Sequence, residues 1–259
     1  MDSFSQRLIH MISILDTYGA SEWNTRAIAV TSAIFFLGIR NLFHKKRGID
    51  WDSAVHATIT GVGSACCIYL NSNAATHLSG FPEPTGSLQE CAGPLTSLHR
   101  IIPAITQGYA LCDIMQGFHL LSTGLGPEFI AHGVATFTVT AVFNEYDAPH
   151  VLTPMLVMEG STIVLSLLKA DFLSPKVKVA SQFLFFLLFF ICRLVIFPSV
   201  YFQAVPLIRD GCFAPIIFYA CLLFGAFFNC LNVFWFIKMV KKLHRKFTGK
   251  ESYSNTEKD

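Results

Sequence analysis

The chain alternates long apolar runs with short polar segments. An apolar run of about 20 residues crosses the hydrocarbon core of a bilayer as a helix. Seven runs approach or exceed that length, at 27–43, 54–70, 101–121, 129–143, 151–168, 177–198 and 213–237. They lack the alternating pattern of a membrane β-barrel strand. Since only helices and closed barrels span a bilayer, the pattern predicts an all-α polytopic membrane protein with about seven transmembrane helices.

Two of these runs differ from a regular membrane-spanning helix. The run 129–143 is short, and the run 151–168 begins beside Pro149 and contains Pro154. A re-entrant segment in this part of the chain therefore stays open as an alternative to two full spans.

The two ends of the chain depart from the pattern. The apolar run 8–15 is too short to span a membrane and is interrupted by His10, so we expect an interfacial helix within a lumenal amino-terminal segment, 1–26. At the other end, residues 247–259 are polar and are expected to form a disordered cytosolic tail.

Composition agrees with a membrane protein and excludes one class of partner. Of the 259 residues, 53% are hydrophobic and only 14% are charged, against about 25% charged in soluble domains. The net charge of +2 is too small for a nucleic-acid binder, which needs a dense cationic footprint. The eight cysteines lack the spacing of a zinc or redox site, so we expect no bound metal and no resident cofactor.

Basic residues set the expected orientation. Fourteen of the nineteen Lys and Arg residues fall on one side of the predicted spans and four on the other, with Arg193 left inside a span. Short loops rich in Lys and Arg stay in the cytosol. The amino terminus should therefore be lumenal and the carboxyl terminus cytosolic.

Four ionisable residues stand out inside the predicted spans, where such groups are costly and usually functional. Glu159 and Arg193 carry opposite charges on adjacent spans, so a buried ion pair that fixes helix register is one interpretation and a direct functional role is the other. Asp113 and His132 lie at compatible depths. An aspartate that orients a histidine suits a general base or nucleophile, and a simple structural pair is equally consistent with the sequence.

Several short motifs follow one another along the predicted spans. They are Gly108-Tyr109 followed by Asp113, Ala131-His132, Glu159-Gly160-Ser161, and Phe190 and Arg193 ahead of Pro198. Their order resembles that of a known membrane family, the TLC homology domain, and most closely its small TLC-domain-containing proteins.

The resemblance implies a TLC domain over 51–246, built as six helices around a central cavity, with 27–43 as one extra transmembrane helix ahead of it. It implies residence in the endoplasmic reticulum. It also makes Tyr109, Glu159, Ser161 and Arg193 the polar residues of the cavity.

The resemblance to ceramide synthases of that family is incomplete. Their pattern has two adjacent histidines for acyl transfer, whereas here His132 is followed by Gly133. Their acidic cluster is also missing, because 150–158 contains no Asp or Glu. Both departures count against ceramide synthesis.

Two functions follow from these expectations. The first is a protein that binds lipids or acyl chains and acts in membrane lipid homeostasis. The second is an acyl-CoA-dependent lipid acyltransferase that uses His132, with Asp113 as its orienting partner and acyl-CoA as co-substrate. Membrane lipids and acyl chains are the expected partners, and the sequence leaves homo-oligomerisation open. A transporter is disfavoured because no inverted repeat is visible.

Overall fold

The computed structural model describes residues 22–43, 50–72, 97–120, 127–168, 170–209 and 213–248. Within these ranges the chain is helical and contains no β-strand. The helices are α1 (Glu22–Phe43), α2 (Trp51–Ser72), α3 (Ser97–Leu120), α4 (Pro127–Glu145), α5 (Pro149–Met155), α6 (Gly160–Leu167), α7 (Pro175–Phe189), α8 (Phe197–Leu207) and α9 (Pro215–Phe247). The predicted interfacial helix at 8–15 and nearly all of the predicted tail lie outside the described residues.

Short irregular helical segments join two pairs of these helices into continuous rods. The 3₁₀ segment Leu156–Glu159 links α5 to α6, and the π-helical segment Phe190–Ile196 links α7 to α8. The described residues thus form seven helical rods, one at each predicted apolar run. The all-α prediction is confirmed for this part of the chain.

Four rods are long and apolar enough to cross a membrane by length and composition. They are Thr25–Phe43, Pro149–Leu167, Pro175–Leu207 and Pro215–Arg245. The helices α2, α3 and α4 carry more polar residues, because they contribute buried Ser, Thr and His side chains to the interior. The membrane character is therefore clear, and the count of seven spans stays a prediction.

Proline accounts for helix starts and for both helical irregularities. Prolines open α4, α5, α7 and α9, where the missing N–H costs nothing. Pro154 lies within α5 just before the 3₁₀ segment, and Pro198 follows the π segment. Because Pro198 cannot donate to the carbonyl of Leu194, the regular hydrogen-bond ladder is interrupted there.

The rod α5–α6 begins at the centre of the bundle. Every residue from Pro149 to Glu159 is buried, and α5 packs against α2, α3, α4 and α8. By contrast, α7 buries only Phe189. The expected central cavity is not confirmed among the described residues, since α5 and the 3₁₀ segment occupy the middle of the bundle.

The two ends of the bundle are held by different ion pairs. At one end, which we call the basic end, α1, α3, α6 and α9 finish and α2, α4 and α7 begin, and Lys238 on α9 reaches Glu128 on α4 at 2.6 Å. At the opposite end, Arg26 pairs with Glu145 at 2.6 Å and Arg100 pairs with Asp147 at 2.8 Å. Asp147 has a φ of 53°, a left-handed conformation that Asp tolerates.

Glycines allow two close helix crossings. A Cβ on Gly108 of α3 would lie 2.3 Å from the Ala29 carbonyl oxygen of α1, and a Cβ on Gly61 of α2 would lie 2.6 Å from the Gly160 backbone nitrogen. Small residues at helix crossings are typical of membrane bundles. Helix α1 is thus packed tightly into the bundle rather than attached beside it.

A buried polar cluster beside an apolar pocket

Arg193 is the centre of a buried polar cluster in which three helical rods meet. Its guanidinium reaches Glu159 at 3.4 Å and Thr162 at 3.0 Å, and its Nε donates to Ser161 at 3.0 Å. On α9, Asn232 accepts from Arg193 Nη1 at 3.3 Å. We call Glu159, Ser161, Thr162, Arg193 and Asn232 the Arg193 cluster.

The predicted pair of Glu159 and Arg193 is confirmed as an ion pair. Their side chains are only 9% and 6% exposed. The π segment positions the arginine. Most residues earlier in this rod face outward, and the widened turn directs Arg193 into the interior of the bundle. Burying both charges is tolerable because each has a partner and further hydrogen bonds.

Trp235 connects this cluster to His132. The Arg193 guanidinium carbon lies 5.8 Å from the centre of the Trp235 ring, within cation–π range. The His132 ring lies 5.4 Å from the same ring and 5.6 Å from that of Phe228. Glu159 is also within electrostatic range of His132. His132 therefore borders the Arg193 cluster and is held mainly by aromatic rings.

The expected orientation of His132 by Asp113 is not observed. Asp113 accepts a hydrogen bond from Arg40 at 3.1 Å, and His132 Nδ1 is buried with no hydrogen-bond partner. Asp113 does approach the neighbouring position, because a Cβ on Gly133 would lie 3.7 Å from its own Cβ. One residue corresponds to about 100° of helix rotation, so His132 faces α9 while Gly133 faces α3.

A second ionic group occupies the basic end. Arg40 of α1 donates from Nε to Asp52 of α2 at 2.7 Å and from Nη1 to the Cys112 carbonyl at 2.9 Å, besides its contact with Asp113. We call Arg40, Asp52 and Asp113 the Arg40 cluster. It joins α1, α2 and α3, and it explains why Asp113 is unavailable to His132.

Tyr109 lies between these two polar groups. Its ring stacks on His56 with centroids 3.9 Å apart and planes within 3°, and the His56 Nε2 lies 3.4 Å from the Thr106 hydroxyl. His56 is within electrostatic range of both Glu159 and His132. His56 was not among the predicted site residues, because an isolated histidine in a span is more often a packed residue than a ligand.

A small apolar pocket adjoins the Arg193 cluster. Its volume is about 20 Å³, room for about one water molecule. Helices α4, α5, α8 and α9 and the 3₁₀ segment contribute the lining, which includes Thr136, Val139, Phe143, Met155, Met158, Phe197, Cys221 and Phe228. In this shape the pocket does not hold an acyl chain, although methionine side chains adapt readily to a guest.

The pocket begins one helical turn from the polar residues. His132 precedes the lining residue Thr136 by four positions, Asn232 follows Phe228 by four, and Glu159 follows Met158 directly. Residues four apart share a helix face. The polar cluster therefore closes the end of the pocket that is nearer the basic end of the bundle.

Sequence reasoning missed Asn232 and Trp235 in this region, and Arg40 and Asp52 in the other. Asn232 and Trp235 lie in a long apolar run, and a polar residue there is a usable signal. Arg40 and Asp52 lie near helix ends, where charge is ordinary. Among the described residues, no group of three or more His, Cys, Asp and Glu side chains is arranged to hold a metal ion.

Comparison with known proteins gives one family. The family model described as the TLC domain matches residues 9–241, a range that includes α1, whereas the sequence placed the start of that domain at residue 51. An uncharacterized TLC domain-containing protein of Schizosaccharomyces pombe is 26% identical over 219 residues, covering 80% of this chain and 70% of the relative. No solved structure matches.

Proposed function

Because the chain belongs to the TLC-domain family, we propose that it is a membrane protein that holds the chain of a lipid inside its helical bundle and acts in membrane lipid homeostasis. The observation that carries this proposal is the junction between the Arg193 cluster and the apolar pocket. A polar end and an apolar interior, one helical turn apart, match the two parts of an amphiphilic lipid.

The dimensions of the pocket favour a single chain. Its lining on α4 runs from Thr136 to Phe143 and on α9 from Cys221 to Phe228, which at 1.5 Å per residue is about 10 Å on each helix. A slot of this length between packed helices accepts one alkyl chain once its methionines and phenylalanines move. We place the protein in the endoplasmic reticulum with a cytosolic carboxyl terminus, as the basic loops and the family suggest.

A matched pair of substitutions on α9 tests the proposal. Cys221 lines the pocket and is 3% exposed, and Cys230 on the same helix is exposed. Native mass spectrometry of the purified full-length protein should show retained single-chain lipid in the wild type and in Cys230→Phe, and much less in Cys221→Phe. If the larger side chain of Cys221→Phe overpacks the interior, it destabilises the protein by about 1–3 kcal/mol. A second variant, Cys221→Ala, therefore enlarges the pocket instead and should retain more lipid than the wild type. Equal retention in all four proteins would contradict the proposal.

The alternative is an acyl-CoA-dependent acyltransferase that uses His132. The unpartnered His132 Nδ1 favours it, because a nucleophile or base needs a free nitrogen. The position after His132 argues against the ceramide synthase form, since a Cβ on Gly133 would lie 3.2 Å from Ile114 Cγ1 and leaves little room for a second imidazole. Expression in cells without ceramide synthases, with a labelled long-chain base and acyl-CoA, should give no ceramide. Formation that disappears in His132→Ala would favour the alternative.

A further inference from the structure

We infer that the lipid head accepted at this junction is an uncharged oxygen group, a hydroxyl or a carbonyl at the end of one alkyl chain, held by His132, Thr136 and Trp235. The inference rests on the proposed lipid-binding function. It adds the chemistry of the head group, which neither the family nor the pocket specifies.

Three polar atoms at the junction between the Arg193 cluster and the pocket have no hydrogen-bond partner. They are His132 Nδ1, Thr136 Oγ1 and Trp235 Nε1, and all three are buried. The rings of His132 and Trp235 have centroids 5.4 Å apart, and Thr136 follows His132 on the same face of α4. More than nine in ten buried polar groups are partnered. Unpartnered atoms on two rings in contact, and on a threonine one helical turn away, therefore point to a polar guest.

Other threonines on α4 show that Thr136 is exceptional. Thr138 donates to the Val134 carbonyl at 2.8 Å and Thr140 to the Thr136 carbonyl at 2.7 Å. This return to the helix backbone is the usual way to satisfy a buried hydroxyl in an apolar helix. Thr136 lines the pocket, and its buried hydroxyl makes no such bond.

Hydrogen-bond chemistry requires an acceptor on the guest. An indole N–H donates and cannot accept, whereas a hydroxyl or a neutral imidazole can do either. The group that satisfies Trp235 must therefore carry an acceptor, and Thr136 and His132 can adapt to it. A hydroxyl or carbonyl oxygen meets this requirement, and an ammonium head does not.

The charge balance excludes a carboxylate head as well. Arg193 is already paired with Glu159, and its nitrogens also donate to Ser161 and Asn232. No uncommitted cation is described beside the three unpartnered atoms. A buried charge without a counter-ion is strongly disfavoured, so the site selects an uncharged head.

Binding of four probes to the full-length protein in detergent tests this inference. The probes share a hexadecyl chain and differ at the head: 1-hexadecanol, palmitate, hexadecylamine and headless hexadecane. Thermal-shift titrations should give the tightest binding for 1-hexadecanol. Thr136→Val and Trp235→Phe should each weaken it about tenfold, the equivalent of one hydrogen bond, and Thr138→Val should leave it unchanged.

The possible results separate the claim of an uncharged head group from the proposed lipid-binding function. Thr136→Val preserves side-chain shape and removes an unpartnered group, so the variant should fold as well as the wild type. If Trp235→Phe unfolds, Thr136→Val alone still tests the chemistry of the head group. Equal or tighter binding of palmitate or hexadecylamine would overturn the neutral head and leave the proposed function standing. Unchanged hexadecanol binding in Thr136→Val would do the same. Failure of every probe to bind the wild type would overturn the proposed function itself.

Discussion

The two ionic clusters of the bundle are built differently. The Arg40 cluster sets one guanidinium against two carboxylates near the basic end, where it ties together the first three helices. The Arg193 cluster sets one guanidinium against one carboxylate and satisfies the remainder with neutral groups of α6 and α9. The Arg40 cluster has one carboxylate more than it has cations and lies near the helix ends. The Arg193 cluster has equal numbers of positive and negative charges and borders an apolar pocket. Charge balance thus separates a cluster that only joins helices from one that also borders the apolar pocket.

Breaking the balanced pair should have the largest effect. Glu159→Gln or Arg193→Met strands one buried charge and should each destabilise the protein by about 3–5 kcal/mol. The double variant Glu159→Gln/Arg193→Met removes both charges and should recover much of that loss. Unfolding of the purified protein in detergent measures all three. A double variant as unstable as the sum of the single variants would show that the two residues are not coupled.

The Arg40 cluster should respond unequally to its own single changes. Arg40→Met leaves Asp52 and Asp113 unpaired and should cost about 2–3 kcal/mol, less than a fully buried pair, because the Asp113 side chain is 29% exposed. Asp113→Asn leaves Arg40 paired with Asp52 and should cost only about 1 kcal/mol. Equal destabilisation by Asp113→Asn and Glu159→Gln, measured by the same unfolding experiment, would remove the distinction between the clusters.

Packing around the Arg40 cluster can be tested with two glycines. Gly108→Ala puts a Cβ against the α1 backbone, 2.3 Å from the Ala29 carbonyl oxygen, and should cost about 1–3 kcal/mol. Gly38→Ala on α1 meets nothing within 4 Å and should stabilise the helix by up to about 1 kcal/mol. If both variants unfold at the wild-type temperature, the close crossing of α1 and α3 is wrong.

The smallest effect should come from an ion pair at the surface. The hydrogen bond from Lys238 lowers the pKa of Glu128, so its contribution is complete at neutral pH and is lost as the pH falls below about 4. A double-mutant cycle with Glu128→Gln and Lys238→Met should give about 0.2–1 kcal/mol at pH 7 and almost nothing at pH 3. A coupling energy that grows on acidification would contradict a lowered pKa of Glu128.

The hydrophobic pattern was enough to predict the helices but not which side chains meet between them. Run length and polarity located every rod, and opposite charge on adjacent spans identified the Glu159–Arg193 pair. Depth along a helix axis carries no information about which way a side chain faces. Asp113 and His132 therefore matched in depth while facing different helices, and Arg40, counted from the sequence as one cation of a basic flank, pairs with Asp113.

The filled centre of the bundle could not be foreseen for a related reason. Burial of every residue from Pro149 to Glu159 depends on how the rods assemble around α5, and the sequence there is no more apolar than in the exposed α7. His56 likewise could not be predicted as part of this region from the small and polar residues that flank it along the chain. Its environment comes from Tyr109 and Thr106 on another helix.

Photo-crosslinking tests the lipid site most directly. A hexadecanol carrying a diazirine near the middle of its chain and an alkyne at its far end for detection, bound to the full-length protein and activated, should label pocket residues such as Val139, Phe143 and Phe224. Cys221→Phe should abolish this labelling and Cys230→Phe should preserve it. Labels found only on outward-facing residues such as Val134 and Leu223, 44% and 66% exposed, would show that the lipid stays outside the bundle and would contradict the account.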